Sequence, residues 1–390
     1  MIRLKLARQG PITRVVDLSP ATRRGRPALI PLLLALLAAL LLLPGSAAAK
    51  GKGKKSYLPP KGKIFAGVSD TGQGSDYRSY RKATRAHPAV MQSFESWGYV
   101  PGEAIRRWED TNTRGMLSLS TSRCWGCEPV ISAQSIANGK GDRYLLALSK
   151  ALVKRDEPTY IRLLPEMNGH WNGYCAFNGG GSPRKEEHST ANFKAAWKRI
   201  VLVLRGGDRK KLEKKLKKLG QPKLQAKSKD RLPNPKVAFG WVPHSYSTPN
   251  VPGNQPSDYF PGYDYVDWVG GDLYGSSPGF SGLDALYREF SKAPFMIGEW
   301  APRGRDDTGF TSGIFNWVEK HKRTKMLVYY QGFGEGPDNE FEISDYPKSR
   351  SVIRKRLNSK KYVPYAPENE KKRKGGKGGK GGGGGGPKKP

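Results

Sequence analysis

The chain has 390 residues, a formal net charge of +34, 36% hydrophobic residues and 10% aromatics. That apolar content can build a core, which excludes a wholly disordered chain, and the length suits one large domain or two ordinary ones. The charge would point to a nucleic-acid binder if it were spread evenly, but about +29 of it lies in the N-terminal arm, residues 50–63, residues 208–236 and the tail after residue 370, which leaves a near-neutral remainder and argues against a nucleic-acid partner.

Arg23, Arg24 and Arg26 precede an apolar run from Ala28 to Leu43, which ends in Pro44-Gly45-Ser46-Ala47-Ala48-Ala49. A basic start, a short apolar stretch and an Ala-x-Ala close read as a secretory signal over residues 1–49. The competing reading is an uncleaved anchor, but the run falls short of the roughly 20 apolar residues that span a bilayer. A secreted or wall-associated protein is the expectation. Residues 50–63 form a Lys/Gly/Pro linker.

After the linker, apolar β-rich runs alternate with helical patterns. The runs are Ile64–Val68, Ala89–Phe94, Met116–Leu119, Thr159–Leu164, Val237–Trp241, Val266–Gly270, Phe295–Gly298 and Met326–Tyr330. Between the fourth and fifth, Phe193–Leu204 repeats apolar residues at i, i+3, i+4 and i+7, with Thr190 placed to cap or open the helix. Tyr144–Leu152 and Ile314–Glu319 behave similarly. Eight strands alternating with helices predict an α/β fold, a (β/α)8 barrel over residues 64–365. A doubly wound sheet would usually show a Gly-rich phosphate turn after its first strand, and Gly67-Val68-Ser69-Asp70 is not one.

The barrel is interrupted by a basic insert at about 208–236, where Leu212, Leu216 and Leu219 share one helical face. It reads either as a solvated extension of the preceding helix, the favoured reading, or as an amphipathic helix for an anionic surface. The Gly/Lys-rich tail over 366–390 lacks core-forming residues and is expected to be disordered.

Barrel enzymes carry their chemistry at the C-terminal ends of the strands. Glu166 follows the fourth run in Leu163-Leu164-Pro165-Glu166-Met167-Asn168-Gly169-His170-Trp171, and Glu299 follows the seventh in Met296-Ile297-Gly298-Glu299-Trp300. A charge emerging from an apolar strand needs a reason. Glycosidic cleavage supplies one, because it takes one acid to protonate the leaving oxygen and one carboxylate at the anomeric carbon. Trp171 and Trp300, next to the two glutamates, suggest faces for sugar stacking. Trp268 reads as structural. His170 and His244 flank the inferred cleft, but two scattered histidines do not make a metal site, and no metal or cofactor is expected.

These stretches resemble glycoside hydrolase family 26, a β-mannanase and β-glucanase family whose catalytic glutamates lie on strands four and seven. Arg162, Glu166, Asn168, Gly169 and Trp171 match the family's fourth-strand pattern. Asp258–Gly270 is similar to its approach to strand six, Asp272 and Tyr274 to that strand's end, and Ile297-Gly298-Glu299 to the nucleophile strand. The resemblance covers about residues 64–362. It implies a retaining hydrolase of β-linked polysaccharide, with Glu166 as acid/base, Glu299 as nucleophile and the Tyr274 hydroxyl beside it. Arg162, Asn168, Trp171, His244, Tyr274 and Trp300 are then the candidate substrate-binding residues. The sequence departs from the family at Pro165, where His is usual, at Val242-Pro243-His244, at Tyr174-Cys175 and at Tyr330-Gln331-Gly332-Phe333. These changes concern sugar subsites rather than the glutamates, and they motivate the alternative of a catalytically idle barrel that binds wall glycan. A monomer is expected, with the basic tail available to an anionic wall polymer.

Of three cysteines, Cys124 and Cys127 follow the third strand and Cys175 the fourth. Adjacent barrel strands bring their loops side by side, so a bond from Cys175 to Cys124 or Cys127 is the favoured expectation over the small Cys124–Cys127 ring.

Overall fold

The structure is a computed structural model, and it describes residues 56–71, 76–124, 126–332 and 340–375. The expected leader (1–49), the first residues of the linker and the end of the tail lie outside these. Among the described residues no helix is long and apolar enough to cross a membrane.

Eight strands form the barrel: β1 (Ile64–Asp70), β2 (Val90–Ser96), β3 (Arg114–Ser120), β4 (Thr159–Leu163), β5 (Val237–Trp241), β6 (Trp268–Tyr274), β7 (Phe295–Ala301) and β8 (Thr324–Tyr329). Each pairs in parallel with the next, and β8 pairs with β1 through Phe65–Met326 to Val68–Tyr329, which closes the ring. The expected (β/α)8 barrel is therefore the observed fold. Its first helices are α1 (Asp76–Thr84), α2 (Gly102–Asp110), α3 (Ala133–Ala137), α4 (Asp142–Arg155) and α5 (Thr190–Arg205). After them come α6 (Arg209–Lys218), α7 (Pro256–Tyr259), α8 (Ser281–Glu289), α9 (Thr308–Lys320), α10 (Pro347–Leu357) and α11 (Pro367–Gly375).

Strand side chains alternate between two faces, and here the faces meet two separate cores. Outward residues such as Met91, Leu117, Ile161, Phe239 and Ile297 join the large cluster under the helices. Inward residues Phe65, Val90, Met116, Tyr160, Trp268, Met296 and Met326 form a second cluster inside the ring. Trp268 is structural, as expected: its indole packs edge-on against Tyr160 at 5.6 Å and donates to the Ser56 carbonyl at 2.7 Å.

Two expectations about the chain ends are corrected. Residues 56–63, read as linker, pack against the N-terminal end of the barrel. There the Tyr57 carbonyl accepts from Arg114 at 2.6 Å and from the Tyr160 hydroxyl at 2.6 Å. The tail read as disordered from 366 begins with α11, and Glu368 grips the buried Arg114 guanidinium through two bonds of 2.7 and 2.6 Å. A barrel interior needs its end closed, and composition gave no sign that these polar segments do it.

The insert, favoured as a solvated extension of the preceding helix, is instead a separate packed element, because Gly206 ends α5. A two-residue ladder (Gly207–Asp208 with Arg231–Leu232) closes its base, and α6 turns Leu212 and Leu216 into the protein.

Candidate active site

One residue layer above the apolar plug, the inward positions of the strands change to polar: Gln92 on β2, Ser118 on β3, Arg162 on β4 and Asp272 on β6. Glu299 joins them through an irregularity in β7. Between Ile297 and Trp300 β7 has one residue more than both neighbours, which run Gly271 to Leu273 and Leu327 to Tyr329. A bulge of this kind re-aims side chains. It turns both Gly298 and Glu299 towards the mouth and returns Trp300 to the outer face.

Glu166 reaches the same place by a strained turn. Leu164 and Glu166 both have positive φ, +40° and +49°, a conformation that costs a non-glycine residue about 1–3 kcal/mol and persists only where the surroundings fix it. They do so here. Leu164 N–H donates to Leu119 O at 2.8 Å and Glu166 N–H to Val242 O at 2.9 Å. The Pro165 carbonyl accepts from the Tyr174 hydroxyl at 2.7 Å, and the Glu166 carbonyl accepts from Asn172 at 3.0 Å.

Carboxylate oxygens of Glu166, Asp272 and Glu299 all lie within 4.8 Å of one another. Arg162, 2% exposed, sits beneath them. It donates to Glu299 Oε1 at 2.5 Å and to Asp272. Gln92 also donates to Glu299 Oε1, at 2.8 Å, while the Tyr274 hydroxyl donates to Oε2 at 2.7 Å. Glu166 accepts from the Trp171 indole at 2.8 Å. Burial pushes the Glu299 carboxyl above its usual range; Arg162 opposes the rise, Glu166 adds to it, and the bonds from Tyr274 and Gln92 oppose it. Burial drives Asp272 well above the carboxylate range, Arg162 opposing and Glu299 and Glu166 reinforcing. Three carboxyl groups thus converge on one guanidinium. Burial also raises the Tyr274 phenol well beyond its ordinary value, so it stays a neutral donor. The site thus offers one carboxylate, Glu299, held by Arg162, Gln92 and Tyr274, with the Glu166 carboxyl facing it.

The closed parallel ring is found in known proteins. The fold is that of the family 26 glycoside hydrolases. A Bacillus subtilis mannanase superposes with a TM-score of 0.51 at 15% identity, over 79% of this chain and 88% of that one. The catalytic domain of the GH26 endo-β-1,4-mannanase of Bacillus sp. JAMB-750 gives 0.50 at 13%, over 79% and 89%. In sequence, a β-1,3-xylanase of Alcaligenes sp. is 26% identical over 288 residues, 71% of this chain and 52% of that protein, so the chain spans about half the length of the curated relative it matches. No family model matches the chain.

The expected site residues divide by orientation. Glu166, Glu299, Trp171 and Tyr274 stand at the mouth together. His244 is beside them: its ring meets Trp171 edge-on at 5.5 Å, and its Nδ1 lies 2.7 Å from Tyr246 O. Trp300 was expected to stack on sugar, and this is corrected: after the bulge it is 1% exposed and packs against Phe315 of α9 and Tyr329. Asn168 is fully buried, its amide donating to His244 O and accepting from His244 N at 2.9 Å each, so it ties two loops together instead of meeting substrate. Arg162 likewise holds carboxylates from below.

The cysteine expectation is also corrected. The bond is Cys124–Cys127, with Cα atoms 5.3 Å apart, and Cys175 is free. Cys175 faces inward, its sulfur 3.6 Å from Asn254 and 3.7 Å from the Tyr259 hydroxyl. A hydrogen bond from Gly126 N–H to Trp171 O, 3.1 Å, joins the two loops instead.

Sequence reading did not select Gln92 or assign a role to Asp272. Gln92 was visible as a polar residue at an inward position of Ala89-Val90-Met91-Gln92-Ser93-Phe94.

Proposed function

We propose that this protein is a secreted retaining glycoside hydrolase acting on β-linked polysaccharide. The observation that carries the reading is the approach of the Glu166 and Glu299 carboxylates to within 4.8 Å at the barrel mouth. Retaining enzymes hold their carboxyl groups about 5–5.5 Å apart, whereas inverting enzymes leave about 6.5–9.5 Å for a water.

In the first step a Glu299 oxygen attacks the anomeric carbon as the glycosidic C–O bond breaks, and Glu166 gives its proton to the departing oxygen. In the second, Glu166 takes a proton from water, whose oxygen attacks the same carbon and releases Glu299. Arg162, Gln92 and Tyr274 aim the Glu299 carboxylate, and the Trp171 indole fixes the Glu166 carboxyl. Trp171 and His244 form one wall of the cleft, a surface suited to a sugar face.

β-Mannan and β-glucan are the first substrates to try, with β-1,3-xylan added because the curated relative is named a β-1,3-xylanase. Reducing-sugar release from this panel, run with Glu299→Ala and Glu166→Ala, is the test. We expect at least one polymer to be cleaved by the parent and cleavage to fall by about 10³-fold or more in both variants. An inert parent that still binds a polymer would favour the idle-barrel alternative. The N-terminal Arg23–Ala49 signal pattern supports export, and the Lys-rich tail suits an anionic wall polymer.

A further inference from the structure

The segment 206–236 contributes nothing to the cleft, yet it is held firmly. Arg199 of α5 and Asp142 of α4 form a fully buried ion pair with bonds of 2.9 and 2.7 Å. Insert backbone closes around that pair: Pro222 O and Lys223 O accept from Arg199 at 3.0 and 3.1 Å, and Gln225 N–H donates to Asp142 at 2.7 Å. Leu212, Leu216 and Leu224 are buried as well. The apolar side of α6 is thus consumed by the barrel flank. What remains outward is lysine: 210, 211, 214, 215, 217 and 218 are all exposed, and none forms an ion pair among the described residues.

Residues 208–236 contain 12 Lys and Arg against 3 Asp and Glu. Fixing such a density of like charge costs self-repulsion, which an anionic partner would relieve. A buried ion pair is itself weak evidence of a stability gain, since its desolvation offsets its attraction. A loop needed only for solubility could stay unheld. Holding the charges in place makes sense for binding, because ordering them beforehand lowers the cost of association.

We propose that residues 208–236 are a preformed docking platform for a linear acidic polysaccharide. Lys210, Lys214 and Lys218 recur at about 6 Å intervals along the helix axis, a row of point charges suited to a polymer with regularly spaced anions. The segment has no aromatic residue on which a base could stack, and only 2 of its 12 cations are Arg, which disfavours nucleic acid. Its leucines are buried or, for Leu219, partly buried against the core, so no apolar face is left to enter a lipid surface. The inference does not depend on which glycan the cleft cleaves, or on cleavage at all.

The test is binding of the full chain to immobilised polygalacturonate at low salt. The parent is compared with Lys211→Gln/Lys214→Gln/Lys215→Gln/Lys218→Gln, and with a second variant that loses four tail charges, Lys377→Gln/Lys380→Gln/Lys388→Gln/Lys389→Gln. We expect the parent to bind, to weaken as salt rises, and to lose about tenfold or more in affinity through the insert substitutions but much less through the tail ones. An unchanged thermal transition shows that the insert variant is folded, since Leu212, Leu216 and Arg199 are untouched. Equal losses from the two variants would mean that only net charge matters and would overturn the platform. Tighter binding of the parent to duplex DNA or to anionic-lipid vesicles than to polygalacturonate would overturn the partner class.

Discussion

Burial and Arg162 pull the Glu299 carboxyl in opposite directions, and the bonds from Tyr274 and Gln92 side with Arg162. A nucleophile must be ionised, so its raised pKa sets the acid limb of activity above the ordinary carboxylate range. Tyr274→Phe removes one hydrogen bond that favours the charged form. The Glu299 pKa then rises further, and the acid limb of kcat/KM against pH moves to higher pH while the alkaline limb stays. A profile that only drops in height, with its acid limb in place, would sink this account of Tyr274. Gly298 is a second sensitive point. A Cβ there would lie 2.7 Å from Asp272 Oδ1 and 2.8 Å from a Val242 methyl, with Arg162 Nε at 3.1 Å. Gly298→Ala should therefore displace the pair that aims Glu299 and cut turnover by about 10²-fold, since small misplacements of catalytic groups are costly. Near-parental turnover would show that the Arg162–Asp272 pair does not need its present position.

The bulge in β7 marks where strand periodicity stopped being readable. All eight strands were visible because their apolar runs are bounded by helical patterns, and Glu166 and Glu299 were visible as carboxylates leaving such runs. The outward turn of Trp300 was not, because strict alternation cannot foresee one extra residue in a strand. Asn168 failed for a related reason: its spacing was right, but the His244 backbone that absorbs its amide comes from a loop about 76 positions away. The cysteines carry the same lesson. Proximity of the β3 and β4 loops was read correctly, and the inward direction of Cys175 was not. The observed ring predicts a modest energetic role. Closing so short a loop is worth about 2 kcal/mol in the chain-entropy model, against about 4 kcal/mol for the cross-loop bond. Cys124→Ser/Cys127→Ser should accordingly lose about 2 kcal/mol or less in chemical denaturation, and a loss near 4 kcal/mol would contradict that reading.

At the scale of the whole molecule the barrel has two differently built ends. Its C-terminal mouth holds the carboxylate cluster. Its N-terminal end is sealed by Ser56, Tyr57 and α11, which satisfy the buried Arg114, Tyr160 and Trp268 side chains. That seal sets how far the chain can be trimmed. A protein reduced to residues 56–375 keeps every described contact, so its thermal transition and its turnover on a neutral soluble β-glycan should match the parent's. Cutting at Ala366 removes little more, but it takes Glu368, whose side chain is 22% exposed, from an Arg114 side chain that is 3% exposed. Breaking a buried pair by removing one partner costs about 3–5 kcal/mol, because the remaining charge stays in the interior. The shorter protein should therefore melt several degrees lower while its cleft chemistry, at the opposite end of the ring, persists below that transition. Glu368→Gln in the full chain should reproduce most of the loss, since it leaves the helix in place and removes the charge alone. If the Ala366 truncation melts like the parent, α11 does not help seal the barrel. If Glu368→Gln melts like the parent while the truncation does not, the seal works by covering the barrel end and not through the Arg114 ion pair.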